Sequence, residues 1–214
     1  HKIGHGHYGY DVSSIPFELF QNADDALSEL IEMIGIHLLD EKKRLFILEY
    51  NENRSSLTIM HWGRPINIFT HPDAIRIDFR RDRSFDRDLV KMLSFNTSDK
   101  SEGKTGKFGL GFKSVYLISR EPKVISGDLS FIIETGLLPV ALPRLNSAED
   151  DYALVESLKR KLKDVIPDNN NRDGLGGTLI DLEIDPEVTM QKIVSDFERS
   201  VGLLLVFAKS IKNR

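Results

Sequence analysis

The feature that most constrains the fold of this 214-residue chain is a long amphipathic segment, Phe17–Ile36, that precedes two short strand-like segments. Pro16 suits the first turn of a helix. The apolar residues recur at the spacing of one helical stripe: Phe20, Ala23, Leu27, Leu30, Ile31 and Ile34. The segment is therefore predicted to be a helix with one buried face.

Strand-like segments follow this helix in two groups. Arg44–Tyr50 and Ser56–His61 flank a turn-like Asn51–Arg54 and predict a hairpin. Further strands are predicted at Pro122–Ser126, Leu129–Glu134 and Thr178–Ile184. In the last strand Leu179, Asp181 and Glu183 alternate with Ile180, Leu182 and Ile184, and we expect only one set to face the core.

Helical spacing returns at Ala148–Ile166 and at Met190–Lys209, and Ser114–Ser119 has the character of a helix start. No internal repeat or clear linker interrupts the pattern. Strands flanked by helices predict a single α+β layer sandwich.

Composition limits the classes of function. A chain with 40% hydrophobic and 29% charged residues is typical of a soluble globular domain. Its net charge of −4 provides no global positive field for nucleic acid or anionic membrane. The basic residues of the 76–91 run are interleaved with aspartates, which indicates a self-neutralising surface.

The sequence contains no cysteine, which excludes disulfides, thiolate metal sites and cysteine nucleophiles. No apolar run is long enough to span a bilayer, and the first ten residues lack a signal-peptide core. We therefore expect a cytoplasmic protein without membrane attachment. The abrupt first and last residues suggest the N-terminal part of a longer polypeptide.

Three polar residues of the first predicted helix share one narrow face. Glu18, Asn22 and Asp25 stand at i, i+4 and i+7, almost opposite the apolar stripe. The plain interpretation is a solvated face. The alternative is chemical, because an amide among carboxylates suits Mg²⁺, and a carboxylate one turn away can accept a proton from water.

A glycine-dense segment, Gly106–Ser114, stands ahead of a predicted helix start. Its glycines allow backbone N–H groups to approach a phosphate, and Lys107 and Lys113 add positive charge. Neither a P-loop nor a dinucleotide fingerprint fits, because Ser98 and Ser114 occupy positions where those motifs require glycine. A structural turn is the competing interpretation. Two weaker motifs are His61–Pro65, at a strand end, and Gly176–Thr178, at a strand start.

The order of these four motifs resembles the signature of the gyrase, heat-shock chaperone, histidine kinase and MutL superfamily of ATPases. The strings ELFQNADDA and GKFGLGFKSVY are similar to the sacsin and ninety-kilodalton heat-shock versions. The resemblance implies the Bergerat fold, a two-layer sandwich of a mixed, mostly antiparallel sheet with helices on one face. It also implies ATP as substrate and Mg²⁺ as cofactor.

The resemblance further implies roles for individual residues. Glu18 would be the general base, Asn22 the Mg²⁺ ligand and Asp25 a support of the nucleotide pocket. Asn96–Thr105 would form a lid over ATP. The remaining nucleotide-binding residues would come from the glycine motifs and the later strand: His61, Gly63, Lys107, Gly109, Leu110, Gly111, Phe112, Ser114 and Thr178.

One departure from the family pattern bears on base selection. An aspartate that accepts a hydrogen bond from the adenine amino group usually opens the first glycine box, and His61 occupies that place here. A neutral histidine can accept through one ring nitrogen, but the sequence does not show which. Adenine selectivity therefore depends on which ring nitrogen of His61 carries the proton.

The function predicted from the resemblance is slow, Mg²⁺-dependent ATP hydrolysis that closes the lid and drives pairing of two subunits. We expect the domain to serve a larger chaperone-like or defence machine, with a phosphate-sensing residue contributed by a following domain. The alternatives are a nucleotide-binding or degenerate scaffold without useful hydrolysis, and a phosphotransfer kinase. Direct binding of nucleic acid is not expected.

Overall fold

The structure is a computed structural model that describes residues 12–66, 88–93, 112–136, 138–144, 149–167 and 175–212. Within these ranges the helices are α1 (Ile15–Ile34), α2 (Asp88–Leu93), α3 (Glu149–Val165) and α4 (Met190–Phe207). The strands are β1 (Phe46–Asn51), β2 (Ser56–His61), β3 (Lys123–Ser126), β4 (Leu129–Glu134), β5 (Leu138–Ala141) and β6 (Thr178–Glu183). Short 3₁₀ helices cover Val12–Ser14, Glu41–Lys43 and Phe112–Leu117.

The long N-terminal helix is confirmed, two residues earlier than predicted at each end. Pro16 lies in the first turn of α1, and the helix stops at Gly35, whose φ of 85° favours glycine. Almost the whole predicted apolar stripe is buried, and Ile31 is half-buried. Burial of this stripe fixes which side of α1 faces the rest of the protein.

The strands form one sheet in the order β1-β2-β6-β3-β4-β5, and all neighbouring pairs are antiparallel. The predicted hairpin is confirmed as β1 and β2, with Phe46 opposite His61. β5 was not predicted, because its four residues include Pro139 and the exposed Leu138. The α+β class is confirmed, with a sheet that is antiparallel throughout the described strands.

The expected placement of helices on one face of the sheet needs correction. α1 and α4 pack on the face that carries Leu57, Ile59 and Ile180, where the first core cluster also includes Met190. α3 packs on the opposite face through Val155, Leu158 and Leu162, against strand residues that include Met60, Ile125 and Leu179. Helices therefore cover both faces of the described sheet.

The helix on the second face also explains which residues of β6 are buried. Ile180, Leu182 and Ile184 belong to the core on the α1 side, as one alternating set should. Leu179 of the other set is fully buried under α3, whereas Glu183, towards the far end, is exposed. The expectation of a single core-facing set was wrong at the start of the strand, because both faces are covered there.

Two predicted helices differ in detail. α4 ends at Phe207 rather than Lys209, because the next backbone N–H groups turn to the side chain of Asp24. The predicted helix start after the glycine segment is a 3₁₀ helix, Phe112–Leu117. No helix within the described ranges is long and apolar enough to cross a membrane.

Candidate functional site

Polar residues cluster where three neighbouring strands meet one edge of the sheet. His61 lies opposite Thr178 in the β2–β6 register, and Ser126 lies opposite Thr178 in the β3–β6 register. The Ser126 and Thr178 hydroxyls are 2.7 Å apart, and the backbone N–H of Ile66 donates to Ser126 Oγ at 2.9 Å. Since Ile59, two residues before His61, faces α1, this polar cluster faces α1 as well.

The chain leaving β2 docks directly onto α1. A Cβ on Gly63 would lie 2.6 Å from the backbone nitrogen of Leu27, so only glycine fits there. The backbone N–H of Arg64 donates to the carbonyl oxygen of Ala26 at 2.9 Å. Ala26 is one helical turn beyond Asn22, so the strand end lies beside the polar face of α1.

The three predicted residues of α1 differ in their surroundings. Asn22 is exposed and Glu18 is half-buried, and neither side chain has a hydrogen-bond partner within the described part of the chain. Asp25 instead accepts a 2.8 Å hydrogen bond from Lys209 Nζ, which raises the pKa of Lys209. Glu18 and Asn22 are therefore available to a ligand, while Asp25 is engaged.

The adjacent Asp24 has a structural role that the sequence analysis missed. It is 5% exposed and accepts the backbone N–H groups of Lys209, Ser210 and Ile211 at 2.7 to 2.8 Å. Such charge-assisted bonds fix the segment after α4 against α1. The available signal was an aspartate beside the apolar stripe, between Ala23 and Leu27.

Arg64 is a second residue that the sequence analysis missed. Its guanidinium is buried and bonds to Glu29 of α1 at 2.8 and 3.0 Å and to Asp88 of α2 at 2.6 and 3.1 Å. Burial alone would lower the pKa of Arg64, but the hydrogen bonds and charges of Asp88 and Glu29 raise it. Arg64 thus links the segment after β2 to α1 and α2.

The end of the glycine segment lies against α1. The 3₁₀ helix Phe112–Leu117 contacts α1, and Val115 shares a core cluster with Leu19. Ser114 is buried, and Phe112 meets Tyr116 edge-to-face with ring centroids 6.2 Å apart. The predicted residues Lys107, Gly109, Leu110 and Gly111, and the predicted lid Asn96–Thr105, lie outside the described residues.

His61 and Trp62 point to opposite sides of the sheet. Trp62 is buried in the core under α3, where a Cβ on Gly177 would lie 2.8 Å from its indole nitrogen. His61 faces α1, and the backbone N–H of Gly63 donates to its Nδ1 at 3.3 Å. Burial lowers the pKa of His61 to about 4, so the ring is neutral near pH 7.

The amide of Asn22 and the carboxylate of Glu18 are oxygen ligands of the kind that Mg²⁺ takes. The described residues contain no group of three or more histidine, aspartate or glutamate side chains suited to a metal. Mg²⁺ usually takes only one or two protein oxygens, with water and phosphate oxygens completing its shell. The free amide of Asn22, with the carboxylate of Glu18 one turn away, meets that requirement.

Comparison with known proteins agrees with these motifs. A family model described as the Sacsin domain matches residues 7–165. The chain is also 29% identical over 125 residues to the chaperone protein HtpG of Wigglesworthia glossinidia brevipalpis. That match covers 56% of this chain and 19% of the relative, so the chain spans about a fifth of the relative's length. The resemblance to the sacsin and ninety-kilodalton heat-shock proteins is confirmed, and the chain belongs to the Sacsin domain family.

Proposed function

We propose that this chain is a Mg²⁺-dependent module that binds ATP and hydrolyses it slowly. The nucleotide would lie between the polar face of α1, the end of β2 and the glycine segment. The observation that carries the proposal is the docking of Gly63 and Arg64 onto α1 at Ala26. This contact brings the polar strand ends beside Asn22, whose amide is free within the described ranges.

Asn22 would hold Mg²⁺, with phosphate and water oxygens as the other ligands. The bound ion would neutralise charge on the phosphates. Glu18 stands one turn before Asn22 on the same face, and its half-buried carboxylate has no described partner. It would accept a proton from the water that attacks the γ-phosphorus, while the bond from that phosphorus to the bridging oxygen breaks.

The phosphate tail would lie against the backbone N–H groups of Gly109, Leu110 and Gly111, with Lys107 nearby. The contact between the 3₁₀ helix Phe112–Leu117 and α1 supports this arrangement, because that helix continues directly from the glycine segment. Phe112 and Ser114 would position the end of the segment. Thr178 would approach the base through the polar cluster at the strand ends.

The output of the module would be a change of shape rather than a released product. Closure of Asn96–Thr105 over ATP would drive pairing of two subunits, and hydrolysis would reset them. Similarity to a protein named as a chaperone supports a chaperone-like role. Further domains of the same polypeptide would receive the change.

Glu18→Gln tests the catalytic step. We expect single-turnover ATP hydrolysis to fall by about 100-fold, because general-base catalysis contributes a factor of that order or more. The Kd for ATP, measured by calorimetry, should change little. Glu156→Gln is a matched control, since Glu156 is exposed on α3 across the sheet.

Two results would contradict the catalytic role of Glu18. Equal rates for wild type and Glu18→Gln would remove it and leave a nucleotide-binding module without useful hydrolysis. Stable transfer of labelled phosphate to the protein would indicate a phosphotransfer kinase instead.

Asn22→Ala tests the magnesium site. We expect ATP affinity in Mg²⁺ to fall by about tenfold, and affinity in EDTA to stay the same, because only the metal-dependent part of binding is lost. Asn53→Ala, in the exposed β1–β2 turn, should change neither affinity. Identical Mg²⁺ dependence in wild type and Asn22→Ala would refute this role.

A further inference from the structure

The ring of His61 has a defined tautomer. Its Nδ1 accepts the backbone N–H of Gly63, so Nδ1 carries no proton. A neutral imidazole holds its single proton on the other nitrogen, so Nε2 is a hydrogen-bond donor. Burial, which lowers the pKa of His61 to about 4, keeps this form over the ordinary range of pH.

The groups beside His61 are already paired with each other. The hydroxyls of Ser126 and Thr178 share a 2.7 Å hydrogen bond, and Ser126 also accepts the N–H of Ile66. Across the ranges that the structure describes, no group accepts the proton of His61 Nε2. Nε2 of His61 is therefore available to a ligand at the strand ends, and it is a donor rather than an acceptor.

We infer that His61 reads the base of the bound nucleotide by donating a hydrogen bond from Nε2, so that the pocket accepts 6-oxopurine triphosphates at least as well as ATP. This inference rests on the proposed function. A donor complements a purine carbonyl oxygen or ring nitrogen, whereas it opposes the donor groups of the adenine amino group. An acceptor at this position would have the reverse preference.

The test compares nucleotides that differ only at the base. Competition against a ribose-labelled fluorescent ATP, with Mg²⁺, gives the Kd of ATP, ITP and N6-methyl-ATP for the full chain. We expect ITP to bind as tightly as ATP or more tightly, and N6-methylation to have little effect. ITP binding about tenfold weaker than ATP would overturn the inference.

His61→Asp replaces the donor with a carboxylate acceptor. We expect this variant to favour ATP over ITP by about tenfold, because the carboxylate complements the amino group and opposes the carbonyl oxygen. His37→Asp is the matched control, since His37 is exposed beyond the C-terminal end of α1. It should keep the wild-type ratio, and an unchanged ratio in His61→Asp would also overturn the inference.

The ligand series needs only wild-type protein, so it decides the question even if His61→Asp does not fold. Failure of this inference is also distinguishable from failure of the proposed function. Binding of no triphosphate, with or without Mg²⁺, would remove the proposed site altogether. Binding with a strong preference for ATP would leave that site in place and remove only the donor role of His61.

Discussion

The two faces of the sheet are built by adjacent residues of the same strands, yet they differ in character. On the α3 side, Met60, Ile125 and Leu179 are buried in an apolar core. Their immediate neighbours His61, Ser126 and Thr178 face α1 and carry the polar cluster. One residue of offset along each strand therefore separates an apolar surface from a polar one.

This comparison suggests that stability and ligand binding can be changed separately. On the α3 side, the described residues at these strand ends are apolar apart from the indole nitrogen of Trp62, so substitutions there should act through packing. The α1 side combines packing further along the strands with polar groups at their ends. Substitutions at those ends should act through charge and hydrogen bonding.

Leu158→Ala should have the largest effect on stability, and it should disturb packing only in the core on the α3 side. Leu158 is 4% exposed in the core under α3, and removal of such a side chain costs about 3 kcal/mol in the free energy of unfolding. Urea unfolding measures the loss, and Tyr152→Ala on the exposed side of α3 is the control. Where the variant is still folded, its ATP affinity should match wild type. A parallel loss of affinity would show that the faces are coupled.

The pH dependence of stability tests whether burial keeps His61, on the α1 side, neutral. The pKa of His61 is about 4 in the folded protein, below its ordinary value of 6.5. Between these values the unfolded chain binds a proton that the folded protein does not, so stability falls as pH decreases from 6.5 to about 4. We expect His61 to account for about 2 kcal/mol of this loss.

Chemical unfolding at several pH values isolates the contribution of His61. The His61→Gln variant should lose less stability than wild type across this window, and His37→Gln should follow wild type. If His61→Gln and wild type show the same pH dependence, His61 is not held neutral by burial.

Asp24→Asn should have the smallest effect, confined to the junction of α1 and α4. Asparagine keeps one acceptor oxygen but turns an amide donor towards a backbone N–H of the 209–211 segment. We expect a loss of about 1 kcal/mol in the free energy of unfolding. Hydrogen exchange of the Lys209–Ile211 amides should accelerate, while ATP affinity stays the same. Unchanged exchange would mean that Asp24 does not hold this segment.

Sequence patterns predicted most elements because period and turn residues are local properties. α1, the β1–β2 hairpin, β4 and β6 were found close to their observed bounds. β5 was missed because a four-residue strand containing proline has no periodic signal. The helix on the second face of the sheet was not predicted, because the sequence of α3 does not indicate which face of the sheet it covers.

The candidate site was predictable only where its residues share one element. Glu18, Asn22 and Asp25 follow from helical spacing, although their roles remain proposals. The bonds of Arg64 to Glu29 and Asp88 depend on contacts between three elements, so no local pattern could indicate them. The tautomer of His61 was likewise undetermined until the N–H of Gly63 was found against its Nδ1.

The close approach at Gly63 has a mechanical consequence. The backbone just after β2 and the backbone of α1 are locked together there, because a Cβ would lie 2.6 Å from Leu27 N and Arg64 N is bonded to Ala26 O. Neither element can slide or tilt without the other. Together they form one rigid unit, and any rearrangement of the protein has to hinge elsewhere in the chain.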